Sequence, residues 1–312
     1  MISYIASYIV MASIYGIMAL ALNFQWGFSG LMNFGIGASY MLGAYTSALL
    51  TGPASPEHLG GFGLPFPVDL IGAALIPAFV AFLIGFPALR LKGGSFAIAT
   101  LAIHETIYLI VYNEMWLTNG VWGLRDIPRP LYSSMPQNYD LFYILIAGGT
   151  LILCYLFFRK VIASPWGRVI RAVNGDESMA LMSGKHAWRY KMQSFVVGSA
   201  VAGIAGGLFV HYTGFVSPTT FTPLMATFIV WLMMMVGGSG NNNGVLIGAF
   251  LVWGTWTGSE FLTDFFPASM ETRVGFIRML LMGLILLIVI LLRPEGIIGK
   301  RKIIPKYIDS SN

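Results

Sequence analysis

Long stretches of apolar residues with almost no charge constrain this chain more than any other feature of its sequence. An α-helix needs about 20 consecutive apolar residues to cross a bilayer, and stretches of that kind recur along the whole chain. Charged residues make up only 10% of the 312 residues, whereas a typical soluble domain has about 25%. We therefore expect an all-α, polytopic integral membrane protein.

The apolar pattern predicts about nine transmembrane helices, within a range of eight to ten. The second stretch, GFSGLMNFGIGASYMLGAY, is rich in glycine, so we expect this span to be broken or partly re-entrant. The predicted spans cover residues 2–24, 31–50, 68–89, 94–112, 139–158, 190–212, 222–237, 245–262 and 275–292.

The basic residues predict how the chain is oriented in the membrane. Fourteen of the 18 Lys and Arg residues lie in three segments, 90–92, 159–191 and 293–306, and nine spans place all three on one side. The positive-inside rule makes that side cytoplasmic, with the N-terminus outside and the C-terminus inside. We expect one transmembrane domain over 1–312, with a cytoplasmic loop at about 159–189 and a short basic tail at 293–312.

Several kinds of chemistry are excluded by what the sequence lacks. The single cysteine, Cys154, allows no intrachain disulfide and no cysteine-based metal site. No G-x-x-x-x-G-K-[ST] motif is present, so we expect no ATP or other cofactor on this chain. The basic pI of 9.3 reflects the inner loops rather than nucleic-acid binding. We expect no metal site and no enzymatic activity.

The stretch RVIRAVNGDESMALMSGKHAWRYK is a charged segment between two apolar ones. Ser164 before Pro165 is typical of a helix start, Asp176 suits the N-cap of a second helix, and Gly184 suits its end. Two interpretations stay open: a solvated loop that binds anionic lipid headgroups, or a helix pair that fills a partner's groove. Either way, the pattern gives the second helix an apolar seam of Met179, Leu181 and Met182.

Few polar residues lie at membrane depth, and each has two interpretations. Glu105 lies within ATLAIHETIYLI, where an ionisable residue is costly and is either functional or hydrogen-bonded to a neighbouring helix. Asn33, in the glycine-rich span, either lines a pathway or bonds the backbone of a broken helix. We expect His104 to be a packed residue and His211 to be an inert interfacial one.

Glycine spacing predicts where helices approach closely. Gly203 and Gly207 have G-x-x-x-G spacing, as do Gly240 and Gly244, and small residues at this spacing let helices approach closely. The strings GFSGLMNFG and GGSGNNNG also resemble each other and both precede a span, which suggests an internal repeat.

Six segments, taken in order, resemble the permease subunits of branched-chain amino acid ABC importers, the LivM type within the LivH/LivM permease family. Together they extend over nearly the whole chain. The segments are ALNFQWGFSGLMNFGIGASYMLGAYTSALL, ALRLKGGSFAIATLAIHETIYLI, LTNGVWGL, SPWGRVIRAVNGDESMALMSGKHAWRYKMQSFVVGSAVAGIAGGLFVHYTGFVSPTTF, VGGSGNNNGVLIGA and LLRPEGIIG.

This resemblance implies a function and a set of partners. The chain would form the translocation pathway for branched-chain or other hydrophobic amino acids in the cytoplasmic membrane of a bacterium or archaeon. It would work with a second permease of the LivH type, two cytoplasmic ATP-binding subunits that hold the ATP, and an extracytoplasmic solute-binding protein.

The resemblance also assigns residues. Glu105 matches a family glutamate and, with Asn33, is the candidate for the pathway. The loop would couple to the ATP-binding subunits, its apolar seam docking while Arg168, Arg171 and Lys185 fix the orientation. The coupling residues are Arg168, Arg171, Asp176, Glu177, Met179, Leu181, Met182 and Gly184.

Other functions remain open on the sequence alone. The same family includes permeases for urea, amides and other small solutes. An ATP-independent secondary transporter or channel is another class, although ion-coupled carriers usually place several charged residues at mid-membrane and this chain has one clear case. A membrane scaffold or sensor would use the loop only for docking.

Overall fold

The computed structural model describes residues 2–56, 58–132, 139–259, 271–293 and 295–299. Within these ranges the chain has twelve α-helices and no β-strand. The end of the predicted eighth span, at 262, and the part of the predicted basic tail at 300–312 lie outside the described residues.

Each of the nine predicted spans overlaps a helix, but the seventh, predicted at 222–237, is α-helical only over Ile229–Gly237. The second begins at Ile36 rather than at 31, because the glycine-rich residues before it are not helical. The helices are α1 Ile2–Asn23, α2 Ile36–Thr51, α3 Phe66–Ala88, α4 Gly94–Asn113, α5 Met115–Thr118, α6 Tyr139–Ala163, α7 Pro165–Gly175, α8 Glu177–Met182, α9 Ala187–Thr213, α10 Ile229–Gly237, α11 Asn242–Gly258 and α12 Glu271–Leu292.

Five helices in the described ranges are long and apolar enough to cross a membrane. The segments are Ser3–Phe28, Phe66–Ala88, Gly94–Asn113, Tyr139–Ala163 and Ala187–Thr213. The helices α2 and α11 are shorter, with 16 and 17 residues, and α10 follows a π-helical turn at Leu224–Phe228. The total of nine spans and their orientation stay predictions.

Helices α1 and α9 form the centre of the bundle. In their most apolar windows, 72% and 78% of the residues are buried, compared with 22% for α3 and α4 and 28% for α6. Helices α2, α10 and α11 pack around this centre, and α3, α4 and α6 lie at the periphery. In a bilayer the apolar side chains on the outside of α3 and α6 are solvated by lipid.

Glycines allow α9 to cross α2 and α3 at very short distance. A Cβ added at Gly203 would collide with the carbonyl oxygen of Ala73 and would lie 2.6 Å from Cγ of Pro77. A Cβ at Gly43 would in turn collide with the backbone of Gly203, and one at Gly207 would lie 2.9 Å from a methyl group of Leu70. Close approach at a G-x-x-x-G pair is the geometry expected for membrane helices.

The two glycine-rich strings lie against each other. The side chain of Asn23 accepts a hydrogen bond from N–H of Gly240 at 2.7 Å and donates one to Oδ1 of Asn242 at 2.8 Å. Gly240 has φ +80°, and a Cβ at Gly27 would lie 2.9 Å from its Cα. A Cβ at Gly244 would collide with the carbonyl oxygen of Gly237, where α10 and α11 meet.

Candidate functional site

The chain between α1 and α2 is a hydrogen-bonded break inside the bundle. Phe24–Phe28 forms a π-helical turn, and a non-helical stretch then leads to α2. Oδ1 of Asn33 accepts a hydrogen bond from N–H of Gly35 at 2.8 Å, and its Nδ2 donates to Oε1 of Gln25 at 2.8 Å. Gln25 donates to the carbonyl of Phe195 at 2.8 Å. Asn33 therefore satisfies the backbone of a broken helix.

A cleft lies beside this break, between α2, α3, α4 and α9. It is narrow: its cavity volume of about 20 Å³ holds about one water molecule. Asn33, Ser39 and Thr100 supply its polar groups, while Leu42, Ile103 and Phe195 are among its apolar ones. The cleft is mostly apolar, as a path for small hydrophobic solutes would be, and the role of Asn33 in such a path stays a prediction.

The adjacent residues His104 and Glu105 on α4 have different surroundings. Nε2 of the buried His104 lies 3.0 Å from the carbonyl oxygen of Phe221, and its Nδ1 lies 3.3 Å from Oγ1 of Thr227. Because a carbonyl only accepts, Nε2 carries the proton, and His104 is packed as expected. Glu105 is exposed, and no side chain or backbone group in the described residues forms a hydrogen bond or ion pair with its carboxylate.

The charged loop contains the two predicted helices, α7 and α8, and their ends follow from local residues. Oδ1 of Asp176 accepts from N–H of Ser178 at 2.9 Å and of Met179 at 3.1 Å, which caps α8. Gly184 follows α8 with φ +73°. Ser164 precedes Pro165 as predicted, but its hydroxyl donates back to the carbonyl of Val161 at 2.6 Å and makes no cap bond.

The two loop helices expose their apolar residues differently. Ile170 and Val173 of α7 are buried within the chain. Helix α8 buries only Ala180, and the three residues of its predicted seam are exposed: Met179 by 68%, Leu181 by 53% and Met182 by 88%. The apolar seam therefore has no packing partner among the residues that the structure describes.

Charged residues of the loop hold the helices in place. Nζ of Lys191 lies 2.7 Å from Oε2 of Glu177, which ties the start of α8 to α9. The guanidinium of Arg171 donates from Nε to the carbonyl of Gly167 at 3.0 Å and from Nη2 to the carbonyl of Ile162 at 3.3 Å, so it bonds its own helix and the end of α6. Arg168 and Lys185 line an open groove between α7 and α8, whose volume is about 510 Å³.

Helix α7 contacts the break directly. The rings of Phe24 and Trp166 stack with centroids 5.3 Å apart and planes 15° apart. Gly30 has φ +73° and lies so close to Asn174 that a Cβ there would collide with its amide oxygen. A displacement of α7 would therefore act on residues 24–30 and, through them, on the cleft.

A buried polar cluster near the C-terminal end of α9 was not anticipated. Nε2 of His211 lies 2.8 Å from Oδ2 of Asp69, and the hydroxyl of Ser47 contacts both groups. Nδ1 of His211 lies 2.7 Å from the carbonyl oxygen of Pro128, so it carries a proton. We expected His211 to be inert, but it joins α2, α3, α9 and the loop before α6. No spacing in the sequence relates these residues.

This cluster does not have the geometry of a hydrolase triad. In such a triad the serine and the carboxylate bond opposite nitrogens of the histidine, whereas Ser47 and Asp69 both face Nε2 of His211. Over the residues that the structure describes, no three His, Cys, Asp or Glu side chains come close enough together to hold a metal ion.

The bundle of long apolar helices is typical of a multi-pass membrane protein. Within that class, the chain belongs to the family described as "Branched-chain amino acid transport system / permease component", whose model matches residues 4–290. This match includes nearly all of every helix from α1 to α12.

Individual relatives agree with the family. The chain is 31% identical to the high-affinity branched-chain amino acid transport system permease protein LivM of Salmonella typhimurium, over 92% of this chain and 68% of the relative. It is 25% identical to the probable LivM of Methanocaldococcus jannaschii, over 93% and 92%. It is 24% identical to the permease LivH of Salmonella typhimurium, over 95% and 94%. No solved structure matches the chain significantly.

Proposed function

We propose that this chain is the permease subunit of an ABC importer that carries branched-chain or similar hydrophobic amino acids across the cytoplasmic membrane. The family match over residues 4–290 and the LivM relatives support the substrate class. The observation that carries the mechanism is the exposed apolar seam of α8, on a helix that is capped by Asp176 and ion-paired to α9.

The seam fits a docking role because its geometry is fixed while its apolar surface is bare. An amphipathic helix presented in this way fills a groove on a partner, and the proposed partner is a cytoplasmic ATP-binding subunit. One such subunit docks on this chain and a second on the partner permease, and both ATP molecules stay on those subunits. Arg168 and Lys185 flank the groove beside the seam and orient the contact electrostatically.

The contacts of α7 supply a route from the docking helix to the pathway. When the ATP-binding subunits close, α8 and α7 move together, and α7 pushes on the break through the Phe24–Trp166 stack and the Gly30–Asn174 contact. The break borders the cleft that Asn33 lines. The pathway then opens alternately to the two sides, while a solute-binding protein delivers the amino acid to the outer loops.

One observation favours a second candidate, a transporter that works without ATP. Glu105 is an exposed carboxylate within a membrane helix, and such residues serve as proton relays in secondary transporters. Replacing Glu105 by Gln discriminates between the two functions. Uptake that persists supports the ABC importer, whereas uptake that is abolished together with its pH dependence supports proton coupling.

Gentle purification of the tagged chain from its native membranes, followed by mass spectrometry, tests the proposal. We expect two P-loop ATP-binding subunits and a second permease of the same family in the complex. A chain that is recovered alone or as a homo-oligomer contradicts the importer assignment. If the solute-binding protein of this complex takes urea or an amide, the importer architecture is supported and only the proposed substrate changes.

A further inference from the structure

Helix α4 packs into the bundle along one side only. Its buried residues face the break and the turns before α10, where Oγ1 of Thr100 accepts a hydrogen bond from N–H of Phe34 at 3.1 Å. These buried residues are Phe96, Ala97, Thr100, His104 and Val111. Their spacing of three, four and seven places them on a single face of the helix.

The opposite side of α4 is an exposed stripe that contains polar residues. We call it the outer face of α4; it consists of Ile98, Ala102, Glu105, Leu109 and Asn113, all exposed and spaced by four, three, four and four. Asn113 satisfies its amide by donating to the carbonyl of Leu109 at 2.7 Å. Glu105 lies near the middle of the 20-residue helix and has no such bond among the described residues.

A carboxylate at mid-membrane is not stable against lipid. Acidic residues in transmembrane segments almost always face the interior of a bundle, a water-filled cavity or a polar partner. Glu105 faces none of these within the described part of this chain. Nothing in the described part of the chain therefore satisfies the carboxylate on the outer face of α4.

The other peripheral spans differ from α4 in this respect. Helices α3 and α6 are buried to a similar small extent, and their exposed residues at membrane depth are large and apolar, such as Leu75 at 61% and Leu145 at 72% exposure. The one acid of α3, Asp69, is fully buried. Lipid can cover α3 and α6 at no polar cost, and among the described residues of these three spans only α4 presents an acid on its outer side at membrane depth.

We propose that the outer face of α4 is the surface through which this chain contacts the second permease subunit in the membrane, with Glu105 receiving a hydrogen-bond donor from that subunit. The proposal rests on the importer function above. The relatives of this chain include both LivM and LivH permeases, each aligned with more than nine-tenths of this chain. Two chains of one fold commonly pair about a twofold axis, and the small Ala102 lets helices approach.

Site-specific photo-crosslinking in membranes tests this surface. A benzophenone amino acid is placed at Ile98 or Leu109 on the outer face of α4, and at Leu75 or Leu145 as matched controls on α3 and α6. The variants are expressed with the complete transporter, and adducts are identified by mass spectrometry. We expect adducts with the second permease from the two α4 positions and only lipid adducts from the controls.

The opposite pattern overturns the inference. Lipid adducts alone at α4, adducts with a second copy of this chain, or equal capture of the second permease from α3 or α6 would each show that another surface forms the contact. If the purified wild-type complex holds a second permease while α4 fails to capture it, only this surface is wrong. If that complex holds no second permease, the importer function fails as well.

Variants of Glu105 provide a second readout. Losing a hydrogen bond to a buried charged group weakens association by about tenfold or more, so Glu105→Leu should reduce the second permease that co-purifies by that factor. Glu105→Gln can still hydrogen-bond a donor and should restore most of the pairing. Full recovery of the second permease with Glu105→Leu would contradict the role of this carboxylate.

Discussion

Met182 provides a direct test of the docking role proposed for α8. Its side chain is 88% exposed in this chain, so a docked ATP-binding subunit would remove nearly all of it from water. Full burial of a methionine side chain contributes about 1.5–3 kcal/mol. Taking about 2 kcal/mol, Met182→Ser should weaken attachment of the ATP-binding subunit by about 30-fold.

The same substitution should leave the membrane fold intact, because substitutions at exposed positions usually change the free energy of unfolding by no more than about 0.5 kcal/mol. Met115, at the start of α5 and 55% exposed, is the matched control on the predicted outer side. The permease variants are placed in nanodiscs, and binding of the ATP-binding subunit is titrated alongside thermal unfolding. Wild-type affinity for Met182→Ser, or an equal loss for Met115→Ser, would refute the docking assignment.

Three further substitutions test other parts of the structure. Gly203→Ala should destabilise the chain by about 1–3 kcal/mol, because the added methyl group overpacks the helix crossing. The control Gly148→Ala has open space around it and should be neutral or stabilise the chain by up to about 1 kcal/mol through helix propensity. Thermal unfolding in detergent measures both variants, and equal midpoints would count against the α3–α9 crossing. Asp69→Ala leaves Nε2 of His211 and the hydroxyl of Ser47 without the carboxylate oxygen that they share, and it should cost about 1–3 kcal/mol in the same assay. An unchanged midpoint would show that the cluster contributes nothing to stability. Gly184→Trp should reduce the ATP-binding subunit that co-purifies while the spans still fold, and a full complement of that subunit would count against the loop.

Features that depend on short segments of sequence could be predicted. Apolar stretches long enough to span a bilayer became helices, because lipid leaves the backbone no other way to satisfy its hydrogen bonds. The two loop helices were also predictable, since Asp176 caps α8 from two and three residues away and Gly184 follows its end. The break before α2 was anticipated because glycines populate positive φ, as Gly30 does.

Contacts between distant residues could not be predicted. His211 lies 142 residues from Asp69, and no local pattern distinguishes a buried cluster from an inert interfacial histidine. The hydroxyl of Ser164 bonds Val161 instead of capping α7, because serine bonds its own upstream carbonyl as readily as the next turn. Which face of α4 exposes Glu105 depends on how the helix rotates against α2, and that rotation is set by packing.

ATP-driven uptake by the reconstituted complex tests the central claim most directly. The purified permease pair and ATP-binding subunits are placed in proteoliposomes with their solute-binding protein outside, and uptake of labelled leucine is measured with and without ATP inside. The account predicts uptake that requires both ATP and the binding protein and that is lost with Met182→Ser. Leucine uptake that proceeds equally without ATP, and follows an imposed pH gradient, would contradict it.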